Sequence, residues 1–531
     1  DDEGATKVKL TIGENKMIFQ HNGKPFTKED VDNITTYKKR KKEDKLDKIG
    51  NFGSGFKTVH QFCDEPKIHT LIDKELIAFK IEEKIIPCRL KITKKEEKNI
   101  INQFKKYGST RFIFEFHNKK KTEKQSIDIK SFKEFLNENN EEFLLFLPNI
   151  KEIILNIDKT YFKFNKNIIK IDENLFKVSL LNQSKSNKFF YIYSKKFSLP
   201  GYDENNKASL SVAYKYNEKG KKFLQVNNDK NLFVTFRTQE SFEYKFCINA
   251  PFKIIESRTV IKEENAININ LLKKFDEVIA DSILKLKKHK LLNISFFDLV
   301  PLKKDNINMK FENIYNKISH ILREEEIWPV NKAREFLTMD KIIFGEINYK
   351  KNFNNDDLQN FGITKKWLDE PTPRTKTLLK DFHVQEFNSD NFTEYTDWDS
   401  ILGNKNEKKL FSIYRLLNLE LDEFDLSNLP IIKSEEGDFY KGTYLRFPPN
   451  SQSQHIEIKF VNKKLLDNKR FPKLNEFFTK CGVTEIKTSD LIQTNINKYK
   501  LEFDTKINVD TKKYENLLID IINSKLVLNP R

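Results

Sequence analysis

Apolar residues recur along this chain in two rhythms, every second position in short runs and every third or fourth in longer ones, and each rhythm predicts its own element. "TKVKLTI" and "KMIFQH" predict two strands joined by the turn residues Gly13-Glu14-Asn15. Asn22-Gly23 is a turn signal, and Thr27 with Asp30 three positions later forms a helix-capping pair. From Tyr37 to Lys48 the segment is basic and poor in apolar side chains, and reads as a mobile loop. Phe56, Val59, His60, Phe62 and Cys63 fall at helical spacing with no Gly or Pro before Pro66, so a short helix is expected from about Gly55. Strand-like "KIHTLI", "LIAFKI" and "IIPCRLKI" follow. "GSTRFIFEF" sets Phe112, Phe114 and Phe116 on one face of a half-buried strand, and a helix is expected from about Ser131 to Phe146.

Further on, "NLLKKFDEVIADSILKLKKH" puts Leu271, Phe275, Val278, Ile279 and Leu286 on one helical face, a core-packing pattern. From about residue 306 the pattern predicts elements but no site. "LPIIKSEEGDFYKGTYLRF" reads as a hairpin around Glu436-Gly437, and "KLNEFFTKCGV" as a helix stopped by Gly482. Trp328, Trp367 and Trp398 stand apart and are expected in cores or interfaces, and "REEEIW" as an exposed helix end.

The 531 residues allow two to four domains. Lys and Arg number 95 against 78 Asp and Glu, a net charge of +17. That balance permits a nucleic-acid partner, but charge spread along the whole chain also reads as a solvated surface. Cys63, Cys88, Cys247 and Cys481 are scattered without a Cys-x-x-Cys pair, which predicts a reduced, cytoplasmic protein. The apolar stretch "FLLFLPNIKEIIL" is broken by Pro148 and Lys151, so no membrane association is expected. His60, Cys63 and His69 have no second Cys/His cluster to complete a zinc site and are expected in the core; no metal ligand is assigned.

The densest chemistry lies in "DKIGNFGSGFKTVHQF", residues 47 to 62. Gly50 and Gly55 have the separation of a P-loop, yet Phe56 stands where that loop needs Lys, and Lys57-Thr58 come one position late. After Gly53-Ser54-Gly55, Thr58 takes the place of the third glycine of a dinucleotide fingerprint. Both devices are excluded. A glycine-rich loop feeding a helix N-terminus still presents free N–H groups and a positive dipole end, which favours phosphate; a plain tight turn is the other reading of the same glycines.

The ordered set of boxes resembles the GHKL ATPases, the superfamily of gyrase B, mismatch-repair ATPases, histidine kinases and ninety-kilodalton heat-shock chaperones, and within it the sacsin-type branch. "IGNFGSGFKTV" is similar to the family's second glycine box, which implies phosphate contacts from Gly50, Gly53, Ser54, Gly55 and Phe56, with charge from Lys57. "HNGKPF" lies where the family has Asp-x-Gly-x-Gly, so Asn22 and Gly23 stand at the adenine-reading position, with Asn22 in place of the aspartate. "GSTRFIF" is similar to the family's Gly-x-Thr strand and makes Thr110 the second adenine contact. "DDEGATKVKL" resembles the end of the Asn-Ala-x-Asp element, with Asp2 at its aspartate, which implies that the Mg²⁺-binding Asn and the general base lie upstream of residue 1. "INAPF" followed by Ser257-Arg258 resembles the point where a middle domain offers an arginine to the γ-phosphate.

The resemblance implies an α+β protein: a Bergerat-type nucleotide domain over 1–125, a transducer or middle domain over 126–305, and a C-terminal α/β region for partner binding over 306–531. ATP and Mg²⁺ are the implied cofactors, residues 37–48 the lid and Arg258 the γ-phosphate sensor. Hydrolysis is expected where an upstream segment supplies the Glu and Asn. A client protein, a homodimer, and a chaperone-like or antiviral-defence setting are further implications. The alternative is a non-hydrolysing scaffold whose basic surface holds nucleic acid or a protein.

Overall fold

The computed structural model describes residues 4–35, 56–117, 140–182, 187–200, 202, 206–226, 229–255, 259–395, 397–448, 458–467, 473–486, 490 and 519. The chain forms two compact units, one of Asp1–Met339 with Pro371–Phe382, the other of Asp340–Glu370 with His383–Arg531. Both contain helices and strands.

Alternating sequence builds the first unit around one large, mostly antiparallel sheet. Its first strands are β1 (Lys7–Ile12), β2 (Lys16–His21), β3 (Lys67–Ile72), β4 (Glu75–Glu82), β5 (Ile86–Arg89) and β6 (Thr110–Glu115). They continue with β7 (Glu152–Ile157), β8 (Thr160–Lys170), β9 (Leu175–Leu181), β10 (Asn187–Phe197) and β11 (Ala208–Asn217). Their spatial order is β5-β4-β3-β6-β2-β1-β7-β8-β9-β10-β11, then Cys247–Asn249, Leu232–Val234 and Phe236–Arg237. The β3–β4 and β7–β8 turns place Asp73-Lys74 and Asp158-Lys159 at positive φ, the paired left-handed conformation that matches strand twist in two-residue hairpins, and Glu83-Lys84 adopt it in the three-residue β4–β5 loop. β7 joins β1 in parallel, Lys7 opposite Glu152 through Ile12 opposite Ile157. The sheet therefore runs without a break from the first 115 residues into those that follow.

Pairing registers sort the side chains of this sheet onto two faces. Met17, Phe19, Ile68, Phe79, Phe112 and Phe114 share one face, here the phenylalanine face, and pack with Val31, Ile34, Phe56, Val59 and Cys63. It carries helix α1 (Lys28–Thr35) and a 3₁₀ helix, Phe56–Gln61. The sequence predicts a helix here; it takes the tighter form because Asp64-Glu65-Pro66 follow at once, and pieces this short favour i→i+3 bonds. Phe62 N–H bonds to Val59 O at 3.1 Å accordingly. Of the helix expected over 131–146, the described part is again a 3₁₀ turn, Asn140–Leu144, ahead of Pro148. The opposite face, with Lys9, Thr11, Gln20 and Arg111, carries helix α2 (Lys94–Tyr107), whose capping box pairs Thr93 with Glu96. Cys63 thus packs on one face while His69, one register position from Ile68, lies on the other, so strand geometry separates the two.

Later parts of the unit follow their patterns. The helix Ala266–Lys288 buries Leu271, Phe275, Val278, Ile279 and Leu286 and bonds to β11 through Tyr214 and Ser282, 2.7 Å apart. Trp328 stacks on Phe297 at 4.0 Å between ring centres. Thr375 Oγ1 donates to Asp298 at 2.7 Å, and Arg374 pairs with Asp305 at 2.6 Å. In the second unit Trp367 and Trp398 are core residues, the predicted hairpin pairs Ile432–Lys433 with Phe439–Tyr440 around Gly437, and the helix Leu474–Lys480 stops before Gly482 at φ +94°. No helix among the described residues is long and apolar enough to cross a membrane.

Candidate nucleotide-binding site

β2 ends at His21, and the chain turns at Asn22-Gly23 because β1 and the α2–β6 turn hold it on both sides. Asn22 Oδ1 accepts from Thr6 N–H at 2.9 Å and Lys7 N–H at 2.8 Å, while its Nδ2 donates to Thr6 Oγ1 at 2.8 Å. Both acceptor positions of the amide oxygen are engaged. A Cβ on Gly23 would lie 3.1 Å from the Cβ of Ala5, so glycine lets this loop approach β1. Ser109 Oγ donates to Gly23 O at 2.7 Å and Ser109 N–H to His21 O at 3.1 Å. Gly108, at φ +123°, makes that turn possible, since a Cβ there would sit 2.2 Å from His21 O.

His21, held down to a pKa of about 4 by burial, is neutral near pH 7, and its Nδ1 lies 3.2 Å from Gly23 N–H in the accepting position. Behind the loop, Phe26 N–H donates to Thr70 Oγ1 at 2.9 Å, and the Thr70 and Thr110 hydroxyls lie 3.3 Å apart. Thr110 is fully buried. Its hydroxyl therefore closes a path from β6 through β3 to the loop that carries Asn22.

Phe56 brings the glycine box to the same place. Its ring lies 6.1 Å from Phe112 and 6.4 Å from Phe114, and Phe26 meets Phe112 edge-on at 5.6 Å. Segments near residues 22, 56 and 110 thus converge around one side chain. Lys57 follows, partly buried, at the start of the 3₁₀ helix. The other expected site residues, Asp2, Gly50, Gly53, Ser54, Gly55 and Arg258, and the expected lid over 37–48, lie outside the described residues.

For a purine, the described residues present two hydroxyls, one amide and an apolar wall that includes Ile77, 43% exposed on β4 beside Thr70. Those residue types fit a base-binding end. The arrangement is closed, however, with Thr110 buried and the Asn22 oxygen taken. Sequence reading missed Ala5, Thr70 and Ser109; the in-phase threonine of "KIHTLI" was the signal for Thr70, since it falls on the face of Ile68.

Residues 4–124 match the family model of the Sacsin domain. The matched stretch begins just before β1 and ends just past β6, so this sacsin-like region holds every described element of the candidate site. No curated protein matches the chain.

Proposed function

We propose that the sacsin-like region is a Bergerat-type ATP-binding module and that the protein is an ATP-dependent conformational switch. The observation that carries the reading is the convergence of the loop of Asn22, the Phe56 end of the glycine box and Thr110 on one sheet face around Phe112. Asn22, Gly23 and Thr110 hold the base; Gly50, Gly53, Ser54, Gly55, Phe56 and Lys57 hold the phosphates through backbone N–H groups and one cation. Asp2 joins the cofactor-binding residues, and Arg258 reads the γ-phosphate.

When bound, MgATP supplies a cleavable phosphoanhydride and a γ-phosphate charge. Everything else belongs to the chain. Because Thr110 is covered, base entry requires the 22–27 loop to shift, and that loop leads directly into α1. Nucleotide binding is thereby tied to the position of α1 and, through it, to the segment that carries the glycine box. Arg258 is satisfied only when a γ-phosphate is present, so its contact biases the closed state. An effective switch needs roughly 5 kcal/mol of differential binding between the two states. Chaperone-like action or antiviral defence is the setting.

Calorimetric titration of MgATP into the full chain tests the reading. Saturable heat that disappears in Gly55→Asp, which sets a carboxylate against the phosphates, is the expected result. Absence of heat at about 1 mM nucleotide, an affinity worth only about 4 kcal/mol, would leave a scaffold that keeps the fold without the ligand.

A further inference from the structure

The face of the sheet opposite the phenylalanine cluster holds a cavity of about 260 Å³ under α2, lined by Lys9, Thr11, Ile18, Gln20, Gln103 and Arg111. Its chemistry is one-sided. Two of the six side chains are cations, none is a carboxylate, and the polar atoms without partners are donors. Gln20 is only 5% exposed, and among the described residues its Nε2 has no hydrogen-bond partner; Arg111 Nε is buried and also has none among them. Arg111 Nη1 donates to Gln103 Oε1 at 2.5 Å, which fixes the plane of the guanidinium from α2. Leaving a buried donor unmade costs about 1–3 kcal/mol, more for a charged group, and burial already pulls the Arg111 pKa down. An acceptor with negative charge answers both orphaned donors and suits a lining that carries two cations.

We propose that this cavity is a binding site for a small phosphate ester, with the phosphate held by Arg111, Gln20, Lys9 and Thr11 and the organic part against Ile18. A guanidinium fork suits phosphate oxygens in two-point contact. The volume exceeds what a free phosphate fills, yet lies just under the usual range for drug-sized ligands, about 300–1,000 Å³. A polynucleotide does not suit a half-open pocket of this size. The site is separate from the nucleotide reading, because Gln20 and Arg111 alternate along their strands with His21 and Thr110, which face the other way. Either inference can fail without the other.

The test is calorimetric titration of the full chain with glycerol 3-phosphate and, separately, inorganic phosphate. The ester is expected to bind at least about tenfold more tightly than phosphate. Arg111→Gln is expected to weaken it by about tenfold or more and Lys9→Gln by several-fold, with Gly55→Asp leaving it unchanged. Lys9→Gln keeps the test decisive should Arg111→Gln fail to fold, since Lys9 is only partly buried. The proposal is overturned by equal ester affinity in Lys9→Gln and the parent, or by no heat at about 10 mM of either probe, which would mean that water alone fills the cavity. Preference for free phosphate, tighter binding of succinate than of the ester, or loss of ester binding in Gly55→Asp would overturn it equally.

Discussion

Asn22 shows how one amide can hold the fold together at the proposed base site. Its oxygen takes two backbone N–H groups and its nitrogen bonds Thr6, which fastens the β2–α1 loop to the start of β1. Asn22→Ala should therefore cost about 1–3 kcal/mol, read as a lower denaturant midpoint. Asn22→Asp separates the fold from the site. A carboxylate has two oxygens, one for Thr6 and Lys7 and one for an adenine N–H, and Thr6 Oγ1 can donate to it. Stability should hold while MgATP affinity rises about tenfold through a charge-assisted bond; unchanged affinity would remove Asn22 from the base site. The histidines give a pH signature at the same scale. Burial is the main reason that His21 and His69 sit near pKa 4, and Arg111 and Lys67 add to it at His69. With folded values below the unfolded value of about 6.5, the unfolded chain takes up protons first on acidification. Stability is then fully present above about pH 6.5 and is lost as pH falls toward 4, by up to about 3 kcal/mol per histidine. His69→Gln should remove about half of that slope between urea midpoints measured at pH 7 and pH 4.5.

At the scale of elements, strict alternation made strands readable to within a residue or two. β1, β2 and β3 coincide with the apolar runs, β6 carries the predicted Phe112 and Phe114, and Thr27 with Asp30 caps α1 through reciprocal bonds of 2.8 and 3.2 Å. α2 was illegible for a physical reason: "KKEEKNIINQFKKY" is mostly charged, and the buried apolar side chains among its described residues are Ile100 and Phe104, too sparse a stripe to announce a helix. Its strongest signal was the capping box, Thr93 with Glu96. Thr93→Ala should lower stability by about 1 kcal/mol, measured as a drop in Tm. The candidate site was half legible in the same way. Asn22, Phe56 and Thr110 were visible as residue types, but that the Asn22 oxygen is occupied and that Thr70 links Thr110 to Phe26 depend on contacts between segments 15 to 44 residues apart. The cavity of Gln20 and Arg111 gave no signal, because its lining comes from three strands and a helix.

For the molecule as a whole, the sheet decides which pieces can fold. β1 lies in its interior, paired with β2 on one side and with β7 on the other. A fragment ending at residue 125 would keep the sacsin-like match yet leave the β7-facing edge of β1 bare, with Val8, Leu10 and Ile12 stripped of Ile153, Leu155 and Ile157. Such an edge is a template for aggregation. Ending at residue 305 repairs that edge but removes the helix Glu312–Glu324 from the helix Ala266–Lys288, Trp328 from Phe297, and Arg374 from Asp305. At about 1.5–3 kcal/mol for each large apolar side chain, loss of Ile314, Ile318, Ile321, Leu322 and Trp328 is comparable to the whole margin of about 5–15 kcal/mol that holds a domain folded. The piece expected to fold is therefore residues 1–382 with 340–370 replaced by a flexible linker, because Pro371–Phe382 packs with the first unit. It should unfold in one cooperative urea transition and bind MgATP as the full chain does. The fragments ending at 125 and 305 should lack such a transition. A cooperative, nucleotide-binding 1–125 fragment would show that the continuous sheet is not what stabilises the site.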